Sequence, residues 1–186
     1  AAVQVMEETG AILIPPYDHP HIIAGQGTVA LEFLEQVPDL DVIVAPIGGG
    51  GLISGISVFA EAGGVKVVGA EPFGADDAYR SKEAGQLLPC EHPETIADGL
   101  RTSLGAHTWP IIRDKVERIV RVSEEEIIDA MRLIWERAKL LIEPSAATAV
   151  AAVLSDEFRD NFEGEQVGVV LCGGNVDLDH LPWQSR

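Results

Sequence analysis

The chain has 186 residues, enough for one domain with a substantial core, and 46% of them are hydrophobic. Its 13 basic residues against 30 acidic ones leave a net charge of −17, a surface that repels nucleic-acid backbones and anionic lipid, so neither nucleic acid nor membrane is expected as a partner. Cys90 and Cys172 are too few and too distant for a disulfide framework or a C-x-x-C metal site, no run of about 18 apolar residues appears, and a cytoplasmic location is the expectation.

In chain order, Ala11-Ile12-Leu13-Ile14 reads as a short strand closed by Pro15-Pro16. His19 and His21 flank Pro20 in a loop with no further ligand at a recognisable spacing, and read as exposed loop histidines rather than metal ligands. Gly25-Gln26-Gly27-Thr28 is expected to open a helix with Thr28 as its cap, and Pro38 to stop it. Asp41 to Ala45 is a buried strand, Leu52 to Ala62 a helix, and Val65 to Glu71 a second buried strand that ends in a carboxylate. Ala75 to Ala84 carries a short helical pattern stopped by Gly85. Residues 87–110 are rich in turn formers and read as loop, which makes them a candidate functional surface.

Val116 to Val122 is a further strand candidate, followed by Ser123-Glu124-Glu125-Glu126, a capping-box signature. The helix it starts places Ile127, Ile128, Met131, Ile134, Trp135, Ala138 and Leu141 on one face. Pro144 interrupts, Ser145 can cap a new helix through Leu154, and Gln166 to Leu171 is the last strand, leading into Cys172-Gly173-Gly174-Asn175. Strands that are nearly continuous Val/Ile/Leu runs and alternate with helices define an α/β fold: a parallel sheet with helices on both faces. Ligands of such sheets sit at the carboxyl ends of the strands. The glycines after the first buried strand, Glu71 and the Cys172 turn should therefore share a crevice.

The most specific stretch is Gly48-Gly49-Gly50-Gly51, wedged between a buried strand and a helix start. Without β-carbons nothing shields the peptide N–H groups from a visitor, and the first amides of the helix point outward with the positive end of its dipole. That is a cradle for a phosphate. A dinucleotide reading competes: Gly49, Gly51 and Gly55 follow a strand, and Glu71 ends the next one about twenty residues on, where a ribose-binding acid belongs. The fingerprint wants two residues, not three, before its last glycine, and leaves the fourth consecutive glycine unexplained.

Six stretches taken together, Ile23-Ala24-Gly25-Gln26-Gly27-Thr28, Pro46 to Leu52, Glu71-Pro72, Ala97-Asp98-Gly99, Leu141-Ile142-Glu143-Pro144 and Cys172-Gly173-Gly174-Asn175, resemble the serine racemase and threonine/serine dehydratase family of pyridoxal-phosphate enzymes. Order and spacing match along essentially the whole chain, which corresponds to the C-terminal part of a family member. The resemblance implies a large-domain portion of a fold type II enzyme. Residues 1–20 would be the end of the small-domain portion and the crossover, and residues 21–186 the C-terminal part of the large cofactor-binding domain. Gly48, Gly49, Gly50 and Gly51 would hold the cofactor phosphate. Cys172 would face the pyridine nitrogen, where family members commonly carry Ser; a thiol keeps that position neutral. Glu71, the Ala75 carbonyl and Asp77 would bind Mg²⁺, or Ca²⁺ or Mn²⁺, as all-oxygen ligands completed by water. Lys139 and Asn175 match positions that touch a nucleotide effector, ATP, between the subunits of a homodimer.

The resemblance also implies what is missing. The Schiff-base lysine of the family lies in an S-x-K-x-R-G motif, and Lys66, Lys82, Lys115 and Lys139 occur in no such context. No catalytic residue is therefore assigned to this chain, which alone is expected to be inactive and to need the N-terminal portion of the same enzyme. The expected activity of the whole is dehydration, racemisation, or both, of serine, threonine or a related β-hydroxy amino acid. A truncated regulatory subunit and an NAD(P)-binding domain are the alternatives.

Overall fold

The computed structural model describes residues 1–184. Four parallel strands, β1 (Val42–Pro46), β2 (Lys66–Pro72), β3 (Arg118–Val122) and β4 (Val167–Val169), form one sheet in the order β3-β2-β1-β4. Eight helices surround them: α1 (Ala2–Thr9), α2 (Pro20–Gln36), α3 (Gly51–Gly63), α4 (Asp77–Ala84), α5 (Thr108–Lys115), α6 (Glu124–Arg137), α7 (Pro144–Leu154) and α8 (Asp156–Phe162). Alternation along each strand divides the core into two layers. Val42, Val44, Val68, Ala70, Val120 and Val122 face α6, α7 and α8, where Ile127, Met131, Ala146 and Phe158 cover them. Ile43, Ala45, Val67 and Ile119 face the other way, onto Ala30 of α2, Ile53 and Ile56 of α3 and Ile112 of α5. Every residue of β1 is buried, which is why it reads as an uninterrupted apolar run.

The capping box at Ser123 forms as expected: its hydroxyl accepts from the Glu126 amide and the Glu126 carboxylate accepts from the Ser123 amide at 2.7 Å. Other boundaries differ from the sequence expectation. Residues 11–14 join no strand and lie exposed, because no described strand flanks them, while α1 precedes them. α2 starts at Pro20, eight residues before Thr28: proline is pre-set for the first helical position, and His19 Nδ1 accepts from the His21 amide as the cap. Thr28 lies inside the helix and donates its hydroxyl proton to the Gly25 carbonyl.

α7 likewise begins on its proline with Glu143 as the flanking residue, so Ser145 is not a cap; its hydroxyl accepts from the Gly99 amide at 3.1 Å. α6 ends at Arg137 and leaves Leu141 half exposed. The turn-rich stretch 87–110 leads into α5, and α8 is a further helix that the sequence pattern did not mark. No described helix is long and apolar enough to cross a membrane.

Candidate active site at the carboxyl ends of the strands

β1 ends at Pro46 and the chain turns through Ile47 to Gly50 into α3. Gly50 has φ 85°, a left-handed conformation, and a β-carbon there would lie 2.7 Å from Ile112 Cδ1. A β-carbon on Gly48 would lie 2.8 Å from the Gly99 carbonyl oxygen, and one on Gly51 2.8 Å from Tyr17 Cβ. All three positions are thus closed to other residues by backbone shape or by close approach. Among the described residues, no protein acceptor meets the amides of Gly48, Gly49, Gly50 or Gly51. Buried amides without a partner are rare, so this row calls for an anion from outside.

The four glycines line a cavity of about 400 Å³ together with Tyr17, Gln26, Leu100, Thr102 and Cys172. The strand ends therefore converge as expected, and the structure brings Cys172 to the glycine cradle. It also adds residues that sequence reasoning missed. The Thr102 hydroxyl is buried and has no hydrogen-bond partner. Tyr17 packs its ring on Gly49, and its neighbour Asp18 fixes it there by accepting from the amides of Ala106, His107 and Thr108 at 2.8–3.2 Å. Thr108 in turn donates its hydroxyl proton to the Gly49 carbonyl at 2.9 Å. A single threonine in a loop, or an aromatic after two prolines, carries no sequence signal of that kind.

The Cys172 turn is held by Glu143. Its amide donates to the Gly173 carbonyl at 3.3 Å, and its carboxylate accepts from the Asn175 amide at 2.8 Å. Gly173 has φ 88°, and a β-carbon there would lie 2.5 Å from Glu143 Cδ. Burial pushes the Cys172 thiol above its usual range, and the Glu143 charge pushes it further. A protonated thiol at this position is a neutral group. Lys139 and Asn175 lie on neighbouring segments, since the Leu141 carbonyl abuts Gly174, but no hydrogen bond joins them; the Lys139 ammonium donates to the Glu136 carbonyl at 2.7 Å.

Beside the cradle, at the end of β2, Glu71 is 0% exposed and Asp77 is 1% exposed. The Glu71 carboxylate accepts from the Ala78 and Tyr79 amides at 3.0 and 2.8 Å, and Asp77 accepts from the Leu104 amide at 3.0 Å. No basic side chain forms an ion pair with either, among the described residues. Burial holds both carboxyls above the usual carboxylate range, Glu71 well above it; the donating amides oppose this, and the Asp77 charge raises Glu71 further. No group of three or more His, Cys, Asp or Glu side chains poised for a metal occurs among the described residues. A cation here would rest on two carboxylates and a backbone carbonyl, that of Ala75 in the 3-10 turn Phe73–Ala75 between them. Two buried carboxylates short of positive charge fit that donor set. Because Glu71 is enclosed and occupied by the α4 amides, it does not stand open to a ribose hydroxyl, which removes the second half of the dinucleotide pattern.

A parallel α/β sheet with an anion cradle after one strand and a thiol turn after another defines a phosphate-cofactor enzyme domain, and comparison with known proteins gives the family. Residues 1–173 match the pyridoxal-phosphate dependent enzyme family, and the chain belongs to it, with the fold type II architecture. It is 50% identical to serine racemase of Arabidopsis thaliana over 189 residues, covering 99% of this chain and 57% of that protein. The structure of maize serine racemase superposes with a TM-score of 0.92 at 49% identity, covering 98% of this chain and 58% of that one. A bacterial-type relative, the T.th. threonine deaminase, superposes with a TM-score of 0.88 at 44% identity, over 95% of this chain and 66% of that one. The chain thus spans somewhat more than half the length of the curated relatives it matches.

Proposed function

We propose that this chain is the C-terminal part of a pyridoxal-phosphate enzyme that racemises serine, dehydrates serine or threonine, or does both. The observation that carries the reading is the row of four unpartnered glycine amides converging with Cys172 and the orphaned Thr102 hydroxyl on one cavity. When bound, pyridoxal phosphate draws electrons from the substrate α-carbon and so eases loss of its proton. The chain's own part is to bind and orient. The amides of Gly48 to Gly51 hold the phosphate, the Cys172 thiol offers a neutral donor to the ring nitrogen, and Thr102 gives a hydroxyl to the substrate end of the cavity.

In this reading residues 1–20 close the small-domain portion and residues 21–186 belong to the large domain. The lysine that carries the cofactor comes from a preceding portion. Glu71, the Ala75 carbonyl and Asp77 hold Mg²⁺ or a similar divalent cation. Lys139 and Asn175 contribute to an ATP site at the interface of a cytoplasmic homodimer. The names of the relatives, serine racemase and threonine deaminase, support the choice of substrate.

The test is to incubate the intact protein, loaded with pyridoxal phosphate, with L-serine and L-threonine and to follow D-serine, pyruvate and 2-oxobutyrate. Formation of any of them is expected; absence of all three from a protein that binds the cofactor would overturn the reading.

A further inference from the structure

We propose that Arg121, at the carboxyl end of β3, is a positioning residue for the cation corner, an inference that rests on the cation reading of Glu71, Ala75 and Asp77. Arg121 is the register partner of Glu71 across the parallel β2–β3 pair, so the two side chains leave the sheet on the same face. A guanidinium beside a buried carboxylate would ordinarily pair with it. Here no ion pair joins them. The guanidinium carbon lies 3.8 Å from the centroid of the Tyr79 ring and 5.0 Å from that of Phe73, and Nη1 is 3.0 Å from Asp76 Oδ2. The other oxygen of Asp76 receives Arg80 Nε at 2.8 Å.

The three grips on this one side chain fall at positions 73, 76 and 79, three residues apart, and both loop donors lie between them: the Ala75 carbonyl between the first two, Asp77 between the last two. Tyr79, which stacks on the guanidinium, also donates its amide to Glu71. One side chain of a neighbouring strand therefore fixes the path of the segment that supplies the donors. The same contacts settle the charge of the corner. Of three neighbouring carboxylates, Asp76 is neutralised by two arginines, while Glu71 and Asp77 keep a combined charge suited to a divalent ion. Stacking also keeps the guanidinium outside, where it does not repel that ion.

The experiment titrates the intact protein, freed of metal by chelation, with Mn²⁺ and reads free Mn²⁺ by electron paramagnetic resonance, alongside the unfolding temperature in chelator. Arg121→Ala should weaken Mn²⁺ binding by about tenfold or more, the scale seen when a partner of a metal ligand is removed. Arg121→Lys keeps a charge for Asp76 but loses the planar stack, and should weaken binding by a smaller factor. A purely structural clamp would lower the unfolding temperature in chelator yet leave the Mn²⁺ affinity of the folded variants at the wild-type value, and that result overturns the proposal. If Arg121→Ala does not fold, Arg121→Lys decides by the same criterion. A wild-type protein that binds no Mn²⁺ overturns the cation reading itself, a failure visible before any substitution is made.

Discussion

The two corners at the carboxyl edge of the sheet solve opposite electrostatic problems with opposite materials. The corner after β1 is made of backbone: four glycines, no charged side chain, and a row of amides without acceptors. The corner after β2 is made of side chains: two carboxylates buried to 0% and 1% exposure, held by three amides and short of positive charge. One awaits an anion, the other a cation, and Leu104 joins them, donating its amide to Asp77 while its side chain packs at the Gly50 position. The difference teaches where mutations should act. A cradle fails when atoms are added, because its shape depends on missing β-carbons. A carboxylate corner fails when charge is removed, with its shape left nearly intact.

The largest effect should come from adding atoms. In Gly50→Ala the new β-carbon meets φ 85° and Ile112 Cδ1 at 2.7 Å. The left-handed conformation costs about 1–2 kcal/mol and overpacking typically about 1–3, so a loss of roughly 2–5 kcal/mol in urea unfolding is expected together with failure to bind pyridoxal phosphate. Wild-type unfolding with lost binding would show instead that the strain is absorbed by Ile112 and that only the amide row matters.

Glu71→Gln should behave the other way. The amide side chain offers one acceptor where the carboxylate offers two, and an unmade buried hydrogen bond costs about 1–3 kcal/mol. Relief of a buried, uncompensated charge offsets that cost. Stability in chelator should therefore stay near the wild-type value while Mn²⁺ affinity falls by about tenfold or more. Equal Mn²⁺ affinity in the two proteins would remove Glu71 from the donor set.

The same pair yields a pH test with a definite sign. Glu71 takes up a proton at higher pH in the folded than in the unfolded chain, so between the ordinary carboxylate range and the raised folded value the native state holds the extra proton. Its contribution to stability is then fully present at low pH and is lost as pH rises through the folded value. Unfolding free energies in chelator, taken as wild type minus Glu71→Gln, should become more favourable to the wild type on acidification across that window. A flat difference would mean that the charge of Glu71 is compensated without a metal.

How much of this was legible in the sequence follows the same division. The glycine turn, β1 and β2 could be read because their constraints are local: a run of small residues, or apolar residues on both faces of a strand. The strand expected at 11–14 failed for the converse reason, since an apolar run becomes a strand only when another strand lies beside it, and the described sheet ends at β4 and β3. α5 hid in a turn-rich stretch because its start is stabilised by Asp18, about ninety residues earlier, through three amide hydrogen bonds. Glu71 and Asp77 could be named from resemblance, but their enclosure could not. Thr102 and Arg121 stayed silent because each owes its role to contacts that sequence spacing does not reveal.

The smallest expected effect concerns the third strand end, where Cys172 shares the cradle's cavity and, like the cradle, works without a formal charge. Burial and the Glu143 carboxylate hold its thiol protonated above the usual thiol range. An unfolded chain loses that proton near pH 8.5, whereas the native chain keeps it to higher pH. Between those two values the native state binds more protons than the unfolded one, so stability must fall as pH rises, by about 1.4 kcal/mol for every pH unit that separates them. Cys172→Ser removes this group without adding a charge, and its unfolding free energy should decline less between pH 8 and 10 than that of the wild type. Iodoacetamide, which needs the thiolate, should label Cys172 in the folded protein at pH 8 more slowly than in the protein unfolded in urea. Equal labelling rates would mean that the thiol is ionised as freely as in water, and the neutral-donor role at the cofactor ring would then fall while the glycine cradle stood.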